Sequence, residues 1–198
     1  MKVNRSVSPS ERILRAADRL FYRQGIRAVG VDAVAAAAGV SKRTLYSYYA
    51  SKDALVAAYL TGRFNHIAPS DAPAREQILA YFDRIEAMVA DGSFRGCPYV
   101  NAVTEICDRK HAAVGIAIRF KEQRRQWYRA LLGRLGAPDP ELLATQVQLL
   151  AEGAIATALV RGDPAAVRAA RDAATVLIDS ATGEPRRTLQ KKRSASAA

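Results

Sequence analysis

The sequence predicts an all-α chain, and three observations carry that prediction. Apolar residues recur three and four positions apart in every long segment, the spacing of one helix face. Ser, Pro and Gly stand at the segment ends, where helix caps and stops belong. No alternating apolar–polar run of useful length offers a strand, and no internal repeat is visible.

The first helix opens at Ser8-Pro9-Ser10-Glu11. Ser8 can cap, Pro9 suits the first helical position, and Glu11 completes a capping box. Ile13, Ala16, Ala17, Leu20 and Phe21 then form one apolar stripe, with Arg12, Arg15 and Arg19 off it. Gly25 ends the helix as a residue that tolerates positive φ. A second helix covers about 31–38, and its alanines let another backbone come close. Gly39 fits a sharp turn and Val40 plugs into the core. Ser41 caps a third helix that ends near Tyr49, and Ser51 caps a fourth. Pro69 and Pro73 flank a polar break, which places a domain boundary there. Helices follow over about 74–91, 99–108, 111–135, 141–160 and 165–180.

The organisation expected is therefore a helix-turn-helix module at 1–66, a helical domain at 67–182 and a basic tail at 183–198, polar enough to be disordered. Charge follows the same division. Residues 1–66 carry 11 Lys/Arg against 4 Asp/Glu, a net +7; residues 67–182 carry 14 of each; residues 183–198 carry 5 against 1, a net +4. Basic clusters of this kind neutralise phosphates.

Several function classes are excluded or disfavoured. The longest stretch without a charged residue, Leu142 to Ala151, is ten residues, and a membrane span needs roughly 20. No apolar run precedes the first charged helix, so no signal peptide and no membrane partner are expected, and the cytoplasm is the expected compartment. Two cysteines, Cys97 and Cys107, and two distant histidines, His66 and His111, offer no metal site and imply no cofactor. The cysteines read as plain buried residues, with a thiol sensor as the alternative. No HExxH, GxSxG, GxGxxG or P-loop motif appears, so an enzyme is not expected.

Residues 31–55, VDAVAAAAGVSKRTLYSYYASKDAL, read as a helix-turn-helix whose second helix can enter the DNA major groove. Leu45 and Tyr49 point to the core at helical spacing. Lys42, Arg43 and Thr44 are the expected base readers, because Arg and Lys bond guanine O6/N7 and Thr suits a base edge or a thymine methyl. Tyr46, Tyr48 and Lys52 suit phosphates, and Ser41 joins them at the start of the helix. Lys52 also lies beside the free N–H groups opening the fourth helix. A reading helix this short covers a few base pairs, so specific affinity requires two copies and a near-palindromic operator.

The segment ERILRAADRLFYRQGIRAVGVDAVAAAAGVSKRTLYSYYASKDAL resembles the tetracycline-repressor (TetR) family of transcriptional regulators. The most specific part is Gly39-Val40-Ser41, then Leu45-Tyr46, the aromatic Tyr49, Lys52 and Leu55. Tyr48 stands where relatives commonly have His. Val31 stands where they often have Thr, which removes a possible phosphate contact. The resemblance implies a homodimer with a DNA-binding N-terminal module and a C-terminal domain that binds a small effector and dimerises. Relatives usually repress and release DNA when the effector binds.

For the dimer interface, Leu142, Gln146, Leu149, Leu150, Gly153 and Thr157 run along one helix, and Val167, Ala170, Ala174, Leu177 and Ile178 along the next. Two such helices from each subunit make a four-helix bundle. The unknown effector is expected among Phe82, Ile85, Tyr99, Val103 and Trp127. The run RFKEQRRQWYR at 119–129 reads as a solvated helix face with i,i+4 charge pairs, the other reading being contact with an acidic ligand. The other class kept open is an effector-independent, nucleoid-type DNA binder, which would need no cavity in the C-terminal domain.

Overall fold

Three serines fix where the first helices begin. In the computed structural model, which describes residues 7–64 and 70–183, Ser8 Oγ accepts from the Glu11 N–H, Ser41 Oγ from Thr44 and Ser51 Oγ from Ala54. They start α1 (Pro9–Gln24), α3 (Lys42–Tyr48) and α4 (Lys52–Gly62). The Glu11 carboxylate accepts from Arg15, one turn on. Between α1 and α3, α2 (Val31–Ala38) ends at Gly39, whose φ of 65° is the left-handed conformation that turns the chain into α3. Replacing Ser51 with Ala removes one cap; a loss of about 1 kcal/mol is expected, read as a melting point lower by roughly 2–4 °C.

Five more helices follow: α5 (Ala74–Ala90), α6 (Pro98–Ile106), α7 (Ala112–Arg134), α8 (Pro140–Arg161) and α9 (Ala165–Thr182). The described residues contain no strand. The expected boundary at 66–67 and the tail, apart from Gly183, fall outside the described residues.

Two apolar cores result. The first joins Ile13, Ala17 and Phe21 of α1, Val34 of α2, Leu45 of α3 and Leu55 and Leu60 of α4. It continues into Cys97, Tyr99 and Ala102 around α6, and Ala113 and Ile116 at the start of α7. The N-terminal module is therefore not sealed at its own last helix. Polar contacts reinforce the join. The Tyr99 hydroxyl donates to the Leu60 carbonyl at 3.2 Å, the Tyr22 hydroxyl to Gly96 O at 3.1 Å, and the Arg27 N–H to the Glu105 carboxylate at 3.0 Å. The second core packs α5, the later turns of α7, α8 and α9, with Phe82, Ile85, Tyr128, Val147 and Ile178 inside.

One helix among the described residues, α8, is long and apolar enough to cross a membrane by length and composition alone, with a mean hydropathy of 1.4 over its best window. The uninterrupted-run reading found none because Glu152 breaks the helix's apolar sequence. Leu143, Ala144, Val147, Ala151, Ala154 and Ala158 are buried within the chain. Leu142, Leu149, Leu159 and Val160 face outward.

Candidate nucleic-acid interface and ligand cavity

The short helix α3 sits on the molecule by one anchor. Leu45 is completely buried, and the remaining side chains of α3 point out or lie at the margin. Tyr49, at its C-cap, packs against the first core, and its hydroxyl pairs with Ser10 Oγ at 2.9 Å. That leaves Lys42, Arg43, Tyr46 and Tyr48 exposed, with Tyr46 at 42% and Tyr48 at 49%. Both rings are open to a partner surface. Thr44 is half-buried, and its hydroxyl pairs with Ser41 Oγ at 2.8 Å. Lys52, half-buried, opens α4 behind α3.

Lys42 has a neighbour that sequence spacing did not reveal. Its Nζ lies 3.0 Å from Oδ1 of Asp32 on α2. This hydrogen bond, with the charge attraction behind it, raises the lysine pKa above its ordinary value. Both groups stay exposed, so the pair can open toward a phosphate or a base.

The second feature is a cavity of about 450 Å³ between α6, α7 and α8. Tyr99, Val100 and Val103 line it from α6, Val114, Ala117 and Ile118 from α7, and Gln148 from α8. Its charged lining is Arg109, Lys121 and Arg125 against a single carboxylate, Glu122. Of the five residues expected at an effector site, Tyr99 and Val103 lie here. Phe82 and Ile85 do not: α5 turns that stripe into the second core, where both are fully buried. Trp127 also lies away from the lining, packed edge-on against Tyr81 and tilted against Tyr128.

The 119–129 run divides in two. On its outer side Arg125 bridges Glu122 and Glu141, as a solvated face with charge pairs should. Bonds from Arg125 and Gln126 hold the Glu122 carboxyl down at about 2. Arg124, however, faces inward and is buried, which corrects the reading of the whole run as solvated. Its guanidinium lies over the rings of Phe120 and Trp127 on α7 and of Tyr81 on α5, the last hidden by sequence distance.

Of the expected interface residues, Leu142, Leu149, Gly153 and Thr157 are exposed on α8, and Gln146, Leu150 and Leu177 half-buried. Ala174 is fully buried within the chain and cannot meet a partner; so are Val167 and Ile178, while Ala170 is nearly so. Both cysteines are free: Cys97 is buried, with Lys121 Nζ 3.4 Å from its sulfur, and Cys107 is exposed. The described residues hold no cluster of His, Cys, Asp or Glu suited to a metal.

At the joint between the two features, His111 caps α7 by accepting the Ala113 N–H on Nδ1, and its Nε2 lies 3.4 Å from Asp53 on α4. Asp53 adjoins Lys52. The start of α7 thus touches the start of α4.

Comparison with known proteins agrees with this arrangement. Residues 13–59 match the family model for bacterial regulatory proteins of the tetR family. A candidate TetR transcriptional regulator from Streptomyces avermitilis, of known crystal structure, is 38% identical, with a TM-score of 0.78 over 88% of this chain and 98% of that one. A TetR-family transcriptional regulator from Streptomyces coelicolor is 26% identical, with a TM-score of 0.79 over 88% of this chain and 96% of that one. An uncharacterised HTH-type transcriptional regulator of Mycobacterium tuberculosis is 40% identical over 60 residues, and the chain spans only 30% of its length.

Proposed function

The chain belongs to the TetR family of bacterial regulatory proteins, and from that premise we propose that it is a cytoplasmic repressor, released from a palindromic operator when a small molecule binds. The observation that carries the proposal is α3: one buried leucine beneath an otherwise outward-facing surface of cations, hydroxyls and tyrosines. Lys42, Arg43 and Thr44 read base edges. Ser41, Tyr46, Tyr48 and Lys52 hold phosphates and so fix the register. Residues 1–66 form the reading module and 67–182 the sensing and dimerising part.

The cavity supports a ligand-responsive protein over an effector-independent architectural one. Its α6 and α7 walls are built on the same core as the reading module. A ligand that shifts α6 or α7 therefore pulls on α4 through Tyr99–Leu60 and His111–Asp53. Tilting α4 changes the separation of the two α3 helices in a dimer. Linkage then requires operator DNA to weaken ligand binding by the same factor.

Selection of bound sequences from random DNA tests the proposal: an inverted repeat is expected, and recovery of unrelated sequences would refute it. The Lys42–Asp32 pair gives a sharper expectation. Asp32→Ala frees Lys42 and removes a negative charge beside the phosphates. Operator affinity should rise by about 2- to 10-fold at low salt, a gain that shrinks as salt increases, measured by fluorescence anisotropy.

A further inference from the structure

We propose that the ligand of this cavity is an organic acid, whose carboxylate is taken by Arg124 and Tyr128, both buried on α7 beside the lining. The inference rests on the ligand-responsive reading above and adds a chemical class to it.

Arg124 is 8% exposed, and its Nε and Nη1 have no hydrogen-bond acceptor. Its guanidinium carbon lies 4.2 Å from the centre of the Tyr81 ring and 5.6 Å from those of Phe120 and Trp127. Aromatic faces attract the positive charge, but they do not receive directed N–H bonds as oxygen does. A buried cation with unfilled donors is costly, and two carboxylate oxygens meet a guanidinium's N–H groups in the strongest geometry available to it.

One helical turn on, the Tyr128 hydroxyl is buried and also without a partner. Burial raises its pKa well above the ordinary tyrosine value, with Tyr81 adding to the shift. It stays protonated and can donate.

The surroundings are cationic. Arg84, Lys121 and Arg124 all act on Tyr81 or Tyr128, and the one carboxylate among them, Glu152, is paired with Lys121. Glu152 is therefore not the missing counter-ion of Arg124.

The site adjoins the cavity along α7, where Lys121, Glu122 and Arg125 of the lining flank Arg124 in sequence. Gln148 belongs to the lining as well, and its Oε1 is a fourth buried polar atom without a partner. Tyr99, also in the lining, stacks on Phe120 at 3.9 Å, and Phe120 is one of the rings around Arg124. An acid entering between Val100, Val103 and Ile118 would leave its apolar body in the cleft and reach inward with its charged end.

The test is calorimetric titration of the full chain with phenylacetate, 4-hydroxyphenylacetate and octanoate, each against its own primary amide. At least one acid should bind 10-fold or more tightly than its amide. Its binding should perturb the emission of Trp127, the only tryptophan in the chain. Arg124→Gln should weaken that acid at least 10-fold and leave the amide unchanged. Tyr128→Phe, which keeps the ring, should weaken it about 3- to 10-fold. If no acid exceeds its amide, or if both variants bind acids like the parent, the inference is overturned and Arg124 is only a packing element. Amides that bind and release operator DNA as well as the acids do would also overturn it, while sparing the regulatory reading. Acids that bind through Arg124 without changing operator affinity would uphold it and refute the regulatory reading.

Discussion

Replacing both Lys42 and Arg43 with alanine should abolish the distinction between the operator and random DNA. Both side chains are exposed at the first turn of α3 and neither supports the core, so the melting point should move by less than about 0.5 kcal/mol would produce. The effect falls on recognition. Each good base contact is worth about 1–3 kcal/mol, so the double variant should lose roughly 100-fold or more in operator affinity. Nonspecific binding should survive, weakened. Lys52→Ala is the control: it should weaken binding to all sequences alike, lower the salt dependence by about one ion per protomer and leave target choice unchanged. Anisotropy titrations against operator and scrambled duplexes over a salt series separate the two behaviours. A double variant that keeps its preference for the operator would remove Lys42 and Arg43 from the reading set.

Leu149→Arg should convert a dimer into a monomer and carry operator binding down with it. Leu142, Leu149, Gly153 and Val160 project from α8 within about 40° of one another at 100° per residue. Leu149 is 66% exposed and Val160 86%. A continuous apolar stripe open to water on a helix whose other face is buried calls for a partner, and Gly153 permits close approach at its middle. In an isologous two-fold interface the stripe packs on its own copy, so an arginine there is desolvated and two like charges share one interface. Sedimentation should show single chains, and operator affinity should fall by about 100-fold or more, because two half-sites no longer bind as one unit. Helix content by circular dichroism should not change, since residue 149 lies outside both cores. A variant that remains dimeric would place the interface elsewhere.

These predictions draw unevenly on sequence and structure. Caps and stops were readable from residues alone: Ser8, Ser41 and Ser51 each accept the N–H three residues on, and Gly25 and Gly39 sit at positive φ. Helix α3 and the turn before it were legible too, because the residues that make them are close in sequence. What periodicity could not supply was the opposing surface. Phe82 and Ile85 mark a buried stripe, but a stripe does not say whether a ligand or another helix covers it; here it is helix. Ala174 fails as an interface residue for the same reason. Arg124 lies within a run of charges that looks uniformly solvated until Tyr81, 43 positions earlier, folds over it. Asp32 and Lys42 meet across a turn, and the spread of the first core into α6 and α7 is a long-range fact that no local pattern announces.

The most direct test is the stoichiometry and footprint of the protein on its selected duplex, by native mass spectrometry with hydroxyl-radical protection. The account predicts an even number of chains per inverted repeat, paired so that α3 protects two patches about one helical turn apart or somewhat more. A single chain on the duplex, or one protected patch without a symmetric mate, would contradict it.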